Sequence, residues 1–196
     1  MKIVLFGGSF NPIHRGHIKL AEEALNFIGG DILFFIPTYH HPFNKKVEVK
    51  KEDIVNMIRL ALEEYKNPKF KIDTYEIEQD NPTYTINTIK KYLDEYPSDE
   101  IFLLIGFDNV KNFDKWKDYR EILKKVRVIA GSRGKTSDLS LKDIFIEGRI
   151  FIFNSKAPDI SASTIREKIK EGNIEEIKSY LPKSVLDYII KNNLYK

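Results

Sequence analysis

The chain has 196 residues, a length typical of one domain, and 42% of them are hydrophobic, which is ordinary for a globular protein. Its 32 Lys and Arg residues nearly balance 29 Asp and Glu residues, so the net charge of +3 is only weak support for a nucleic-acid partner. Cysteine is absent, which excludes disulfides, thiolate catalysis and cysteine-bound metals; with no signal-peptide pattern and no membrane-spanning stretch, the sequence predicts a cytoplasmic protein.

Short apolar segments alternate with helical patterns along most of the chain. Strands are predicted at residues 2–6, 31–36, 70–72, 100–105, 126–130 and 149–153. Helices are predicted at residues 15–28, 51–65, 84–96 and 116–124, and in three pieces from Ser161 onward. Strands this apolar are typical of a parallel sheet covered on both faces. We therefore predict an α/β fold, a Rossmann-like doubly wound parallel sheet with a helical C-terminal segment, as one domain over residues 1–196. Such folds bind ligands beyond the carboxyl ends of their strands.

The segment GGSFNPIHRGH, here called the glycine–histidine loop (residues 7–17), joins the first strand to the first helix. Gly7 and Gly8 allow the backbone to turn sharply and to approach a ligand closely. His14 and His17 fall at the start of the helix, where free N–H groups and the helix dipole favour an anion, and Gly16 leaves space between them. The pattern predicts phosphate binding, although it is neither a Walker motif nor G-x-G-x-x-G. The alternative is a plain turn with two surface histidines.

Two later segments carry further groups that suit anions. The loop after the second strand, PTYHHPFNKK, contains two histidines and two lysines: His40, His41, Lys45 and Lys46. The segment ISASTIRE predicts a capped helix start with Ser163 and Arg166 three residues apart on one face. Arg166 would offer phosphate oxygens a planar, permanently charged guanidinium. A solvated basic loop and a plain capped helix are the alternatives.

The glycine–histidine loop and the later I-S-A-S-T-I-R together resemble the two signatures of the H-x-G-H nucleotidyltransferase superfamily, which includes nicotinate mononucleotide adenylyltransferase. The resemblance covers essentially the whole chain, including the segment from Leu181 to Tyr195. It implies transfer of the adenylyl group of ATP to nicotinate mononucleotide, giving nicotinate adenine dinucleotide and pyrophosphate in NAD biosynthesis. Mg²⁺ is expected to arrive with ATP, because the sequence shows no dedicated cage of carboxylates.

The resemblance also implies which residues act. The groups that stabilise phosphate charge in catalysis are implied to be His14, His17, Lys45 and Arg166. The ATP-binding positions are implied to be Gly7, Gly8, Ser9, Phe10, His14, His17, Gly106, Asp108, Ile160, Ser163 and Arg166. The positions for the pyridine nucleotide are implied to be Thr85, Asp108, Asn109, Trp116 and Arg133, with Tyr84 and Thr88 beside them. Independently of the resemblance, Asp108 could accept hydrogen bonds from a ribose and Trp116 could stack on a heteroaromatic ring, or each could be structural.

Other functions would use the same motifs. Nicotinamide mononucleotide, phosphopantetheine or a CTP-dependent reaction would keep the H-x-G-H loop, and Trp116 with the C-terminal segment favours a pyridine acceptor. A non-catalytic nucleotide sensor or an RNA-binding module would keep the scaffold, but both signatures are present and the charge is nearly neutral. The sequence leaves open the acid or amide form of the pyridine, the phosphate ligand among His40, His41, Lys45 and Lys46, and the oligomeric state.

Overall fold

The computed structural model describes residues 1–39, 49–132 and 150–196. In these ranges six strands form one sheet: β1 Lys2–Gly8, β2 Ile32–Pro37, β3 Phe70–Ile72, β4 Glu100–Gly106, β5 Arg127–Ser132 and β6 Ile150–Asn154. Their order across the sheet is β3-β2-β1-β4-β5-β6, and each neighbouring pair is parallel. The predicted α/β, Rossmann-like class is confirmed. The strand order changes direction between β1 and β4, which opens a crevice beyond their carboxyl ends.

Helices cover both faces of the sheet. In the described ranges they are α1 Arg15–Ile28, α2 Lys51–Tyr65, α3 Tyr75–Glu78, α4 Thr85–Glu95, α5 Phe107–Val110, α6 Tyr119–Lys125, α7 Ala162–Lys170, α8 Ile174–Ile177 and α9 Lys183–Lys191. Two short 3₁₀ turns lie at Phe113–Lys115 and Lys178–Tyr180. Gly29 ends α1 in the left-handed conformation, with φ of 63°, as glycine commonly does at a helix C-terminus. Within the described residues, no helix is long and apolar enough to span a bilayer.

Alternate residues of β1 face two separate apolar layers. Val4 and Phe6 pack in the layer formed with α1, α2 and the C-terminal helices, whereas Ile3 and Leu5 pack in the layer formed with α4 and α6. All four side chains are at most 4% exposed. Because both faces are covered, the strand carries no polar alternation and appears in the sequence as a continuous apolar run.

The expectation that Trp116 begins a helix is wrong. Trp116 is extended, with φ of −73° and ψ of 141°, between the turn Phe113–Lys115 and helix α6. Asp118 then takes a left-handed conformation, with φ of 54°, immediately before α6 begins at Tyr119. The short helices α3 and α5 were not predicted either, because four residues are too few to show a helical period. Trp116 therefore lies in the segment that connects β4 to α6 and not within a helix.

Gly131 in β5 provides a test of how closely α1 packs on the sheet. A Cβ atom at Gly131 would lie 2.3 Å from Leu20 Cδ1 and 3.0 Å from Phe153 Cζ, and both of those side chains are only 7% exposed. We expect Gly131→Ala to lower the free energy of unfolding, measured in urea, by about 1–3 kcal/mol through overpacking. Gly7→Ala is the control, because a Cβ there meets nothing within 4 Å. Equal losses in both variants would contradict the prediction.

Candidate active site

A cavity of about 600 Å³ opens beyond the carboxyl ends of β1, β2 and β4. That volume falls in the range of small-molecule sites, about 300–1,000 Å³. Nine of the residues singled out from the sequence line it: Gly7, Gly8, Ser9, Tyr84, Thr85, Thr88, Asn109, Trp116 and Arg166. These residues come from widely separated parts of the chain, and the crossover between β1 and β4 brings them to one place. The cavity therefore lies where the strand order predicts a ligand.

The remaining proposed residues lie outside this lining. Those in the described ranges are Phe10, His14, His17, Gly106, Asp108, Ile160 and Ser163. Asp108 and Ser163 are exposed near the starts of α5 and α7, and Gly106 ends β4. Lys45 and Arg133 lie outside the described residues, as do His40, His41 and Lys46. Their predicted contacts with phosphates or nucleotide thus stay predictions.

The glycine–histidine loop turns at Phe10 and not at the two glycines, so that expectation is wrong. Gly7 and Gly8 continue β1, while Phe10 has a left-handed φ of 44°. The Phe10 ring is 1% exposed and packs edge-on against Phe6 at 5.3 Å between centroids. A Cβ at Gly8 would lie 3.1 Å from the Phe10 ring, whereas one at Gly7 would meet no atom within 4 Å. Gly8 therefore admits the buried ring, and the bare backbone of Gly7 faces the cavity.

His14 and His17 form a stacked pair at the start of α1. Their ring centroids are 3.6 Å apart and the ring planes are inclined by 22°. The backbone N–H of His14 donates to Nδ1 of His17 at 3.3 Å. Since a backbone N–H can only donate, Nδ1 must accept, and the proton of the neutral ring lies on Nε2. The N–H of the His17 ring therefore lies on the side away from this backbone contact.

Gly16 does not leave space for a ligand between the histidines, contrary to the sequence-based expectation. A Cβ at Gly16 would lie 2.9 Å from Nδ1 of His14 and 3.3 Å from the carbonyl oxygen of Pro158. The His14 ring itself fills that space and is only 3% exposed. Gly16 thus allows the imidazole of His14 to fold across the first turn of α1, beside the segment that leads into α7.

Arg166 joins helix α7 to the glycine–histidine loop. The helix begins with the predicted cap, in which Oγ of Ser161 accepts a hydrogen bond from the backbone N–H of Thr164 at 3.1 Å. Nη1 of Arg166 donates to the backbone carbonyl of Asn11 at 2.7 Å. Both Asn11 and Arg166 line the cavity. The two signature segments, far apart in sequence, therefore meet at one rim of the same cavity.

Another part of the cavity lining is built around Thr85 and Trp116. Thr85 is the first residue of α4, and Trp116 packs on Phe113 with 5.2 Å between ring centroids. Nζ of Lys117 lies 4.2 Å from the centroid of the Tyr84 ring, a cation–π contact that ties the two segments together. Threonine and asparagine groups beside a partly exposed indole give this wall both polar contacts and a flat apolar surface.

Glu76 is a cavity residue that the sequence did not reveal. It lies on the four-residue helix α3, and its carboxyl accepts a hydrogen bond from Oγ1 of Thr88 at 2.5 Å. Thr88 is 2% exposed, and its hydroxyl is the donor of this buried hydrogen bond. Burial raises the pKa of Glu76 to about 7, because the Thr88 hydrogen bond only partly offsets burial and the charge of Asp73 adds to it. The site therefore contains a carboxyl that titrates near neutrality.

The raised pKa of Glu76 makes the stability of the protein depend on pH. The folded-state pKa of about 7 lies above the ordinary value of 4.5, so the folded state binds more protons between these limits and loses stability as the pH rises. We expect Glu76→Gln, which retains an acceptor for Thr88, to abolish this loss. In urea unfolding from pH 5 to pH 8, the variant should gain up to about 3 kcal/mol relative to wild type. A difference that stays constant with pH would contradict the assignment.

Comparisons with known proteins agree with this geometry. The model of the cytidylyltransferase-like family matches residues 5–168. The chain is 37% identical over 198 residues to a probable nicotinate-nucleotide adenylyltransferase of Dictyoglomus thermophilum, with 100% of both chains covered. It is also 37% identical over 198 residues to a probable nicotinate-nucleotide adenylyltransferase of Borrelia hermsii, covering 100% of this chain and 98% of that one.

The fold has a close counterpart among solved structures. The nicotinic acid mononucleotide adenylyltransferase of Plasmodium falciparum, complexed with NaAD, superposes with a TM-score of 0.80. The superposition covers 99% of this chain and 97% of that one at 22% identity, a likeness of fold. The resemblance drawn from the two signature segments is confirmed, and the chain belongs to the cytidylyltransferase-like family, in the group of the nicotinate-nucleotide adenylyltransferases.

Proposed function

We propose that the chain transfers the adenylyl group of MgATP to nicotinate mononucleotide, giving nicotinate adenine dinucleotide and pyrophosphate in NAD biosynthesis. The observation that carries the proposal is the meeting of Arg166 with the glycine–histidine loop at the rim of a cavity whose lining also includes Thr85 and Trp116. The donors of the first group suit a polyphosphate, and the indole of the second suits a flat ring. The names of the full-length relatives support the same reaction.

In the proposed reaction an oxygen of the 5′-phosphate of the acceptor attacks the α-phosphorus of ATP in line. The bond from that phosphorus to the bridging oxygen breaks, and pyrophosphate leaves with its Mg²⁺. No nucleophilic side chain is needed, because positioning and charge neutralisation supply most of the catalysis in transfers of this kind. Mg²⁺ enters as part of the substrate MgATP.

The phosphates are proposed to lie against the start of α1. There the N–H on Nε2 of His17 and backbone N–H groups at the start of the helix are proposed to donate to them. Arg166 has donors beyond the N–H that it gives to Asn11, since a guanidinium carries five. Ser163 and Lys45 are proposed to complete the phosphate contacts, with Ile160 beside them.

The acceptor is proposed to lie against the wall formed by Thr85, Asn109 and Trp116, with the pyridine ring on the indole. Asp108 and Arg133 are proposed to contact the nucleotide portions. Lys115 and Lys117 both line the cavity on either side of Trp116. Their positive charge supports an acceptor whose ring carries a carboxylate over one whose ring carries a neutral amide.

His17→Ala tests the phosphate end of the site. Losing one donor to the transferring group typically lowers the rate about 100–1000-fold, and we expect a fall of that size in the turnover number, measured as pyrophosphate release. The urea unfolding midpoint should remain close to that of wild type. Lys19→Ala, on the exposed side of the same helix in an ion pair with Glu22, is the control and should retain full turnover. Near-normal turnover in His17→Ala would refute the assignment.

A panel of acceptors tests the other end of the cavity. With ATP, we expect kcat/KM to be highest on nicotinate mononucleotide, lower on nicotinamide mononucleotide and negligible on phosphopantetheine, because only the first places a negative charge beside Lys115 and Lys117. Trp116→Ala should raise KM for the pyridine substrate and leave KM for ATP nearly unchanged. ATP binding without pyrophosphate release on any acceptor would instead indicate a nucleotide sensor.

A further inference from the structure

We infer that Tyr195 is a positioning residue for the glycine–histidine loop, because its hydroxyl holds the side chain of the same Asn11 whose backbone carbonyl receives Arg166. This inference rests on the proposed function, since it concerns how the phosphates are placed. Tyr195 does not line the cavity and acts through Asn11, which does. It extends the machinery of the site to the segment that follows α9.

Asn11 is the point at which three parts of the chain meet. Its side-chain Oδ1 accepts a hydrogen bond from the hydroxyl of Tyr195, and its backbone oxygen accepts from Nη1 of Arg166 at 2.7 Å. Asn11 is 6% exposed, so an acceptor that lost its donor there would be left buried. The two bonds fix both the backbone and the side chain of one residue in a loop that otherwise has no regular structure.

The conformation of Tyr195 indicates that its hydroxyl is placed for this contact. The residue is 4% exposed and has a left-handed φ of 64°, an uncommon and costly conformation for an aromatic residue. The backbone N–H of Leu194 folds back to the carbonyl of Ile189 at 3.1 Å, which turns the chain inward after α9. A phenylalanine could fill the same apolar space. The hydroxyl of Tyr195 therefore contributes the hydrogen bond to Asn11, whereas the ring alone provides the packing.

Helix α9 is held in place by α2, independently of Tyr195. The carboxylate of Glu64 accepts from the backbone N–H groups of Lys183 at 3.2 Å and Ser184 at 2.8 Å, at the start of α9. Further along, the hydroxyl of Tyr188 donates to Asp53 Oδ1 at 2.9 Å. Helix α9 is therefore anchored to α2 by contacts that do not involve Tyr195. Removing the hydroxyl of Tyr195 should loosen the loop and leave the docking of α9 intact.

The expected consequence falls on the rate more than on ATP affinity. Ground-state binding of a triphosphate is spread over many donors, whereas in-line attack requires the α-phosphorus to be aligned closely, and small displacements lower rates strongly. We expect Tyr195→Phe to reduce kcat about 10-fold and to change KM for ATP by less than about threefold. Asn11→Ala should have a similar effect, and the double variant should lose little more than either single variant, because both remove the same bond.

Tyr188→Phe is the matched control. It also removes one tyrosine hydroxyl from the C-terminal segment, but that hydroxyl bonds to α2 and not to the loop. We expect it to lower the free energy of unfolding in urea and to leave kcat within about twofold of wild type. Equal kcat values in Tyr195→Phe and Tyr188→Phe, or independent losses in Asn11→Ala and Tyr195→Phe, would overturn the inference. If Tyr195→Phe folds poorly, kcat of Asn11→Ala tests the inference instead, because that variant removes the same hydrogen bond and leaves the Tyr195 ring in place.

Hydrogen exchange of the ligand-free protein gives a second readout that does not need activity. Tyr195→Phe should speed exchange of the backbone amides of residues 9–14, and Tyr188→Phe should not. Unchanged exchange in that segment would overturn the inference even if turnover fell. A wild-type protein that releases no pyrophosphate with any acceptor would refute the proposed function, while the exchange comparison would still decide the role of Tyr195.

Discussion

The hydrogen bond from Arg166 to the backbone carbonyl of Asn11 is the contact on which the candidate site depends. It has a length of 2.7 Å and joins residues that are 155 positions apart in sequence. Without it, the start of α7 and the glycine–histidine loop would be two separate patches of donors at the edge of a sheet. With it, they share one rim of the cavity, so donors from two distant segments of the chain can act on the same polyphosphate.

Two of the glycines in the glycine–histidine loop leave room for ring side chains of the loop itself. Gly8 admits the ring of Phe10, and Gly16 admits the ring of His14. Phe10 in turn anchors the loop in the apolar layer around Phe6, while the stacked imidazoles lie across the helix start. Gly7 alone among these three glycines has open space where a Cβ would stand. The rigidity of the site thus derives from rings buried beneath it, and polar groups occupy the surface that remains.

The strands, the long helices and the capped start of α7 could be predicted because each is encoded locally. Continuous apolar runs identify strands buried on both faces, and Ser161 followed by Thr164 identifies the helix cap. The position of Glu76 could not be predicted. The four-residue helix that carries it is too short to show a helical period, and its carboxyl is paired with Thr88 of α4, which is distant in sequence. The contact of Tyr195 could not be predicted either, since its partner Asn11 is 184 residues away in the sequence. The roles of the site residues came from resemblance to a family and not from spacing alone.

The place of β1 in the sheet also bears on how the protein assembles. The first strand of the chain lies in the middle of the sheet, paired on one side with β2 and on the other with β4, where Lys2 aligns with Glu100. One of the two edges of β1 therefore cannot pair until β4 has been synthesised. Pairings between segments so distant in sequence slow folding. During that interval the backbone N–H and C=O groups on one edge of β1 are unpaired, and edges of that kind favour aggregation of folding intermediates.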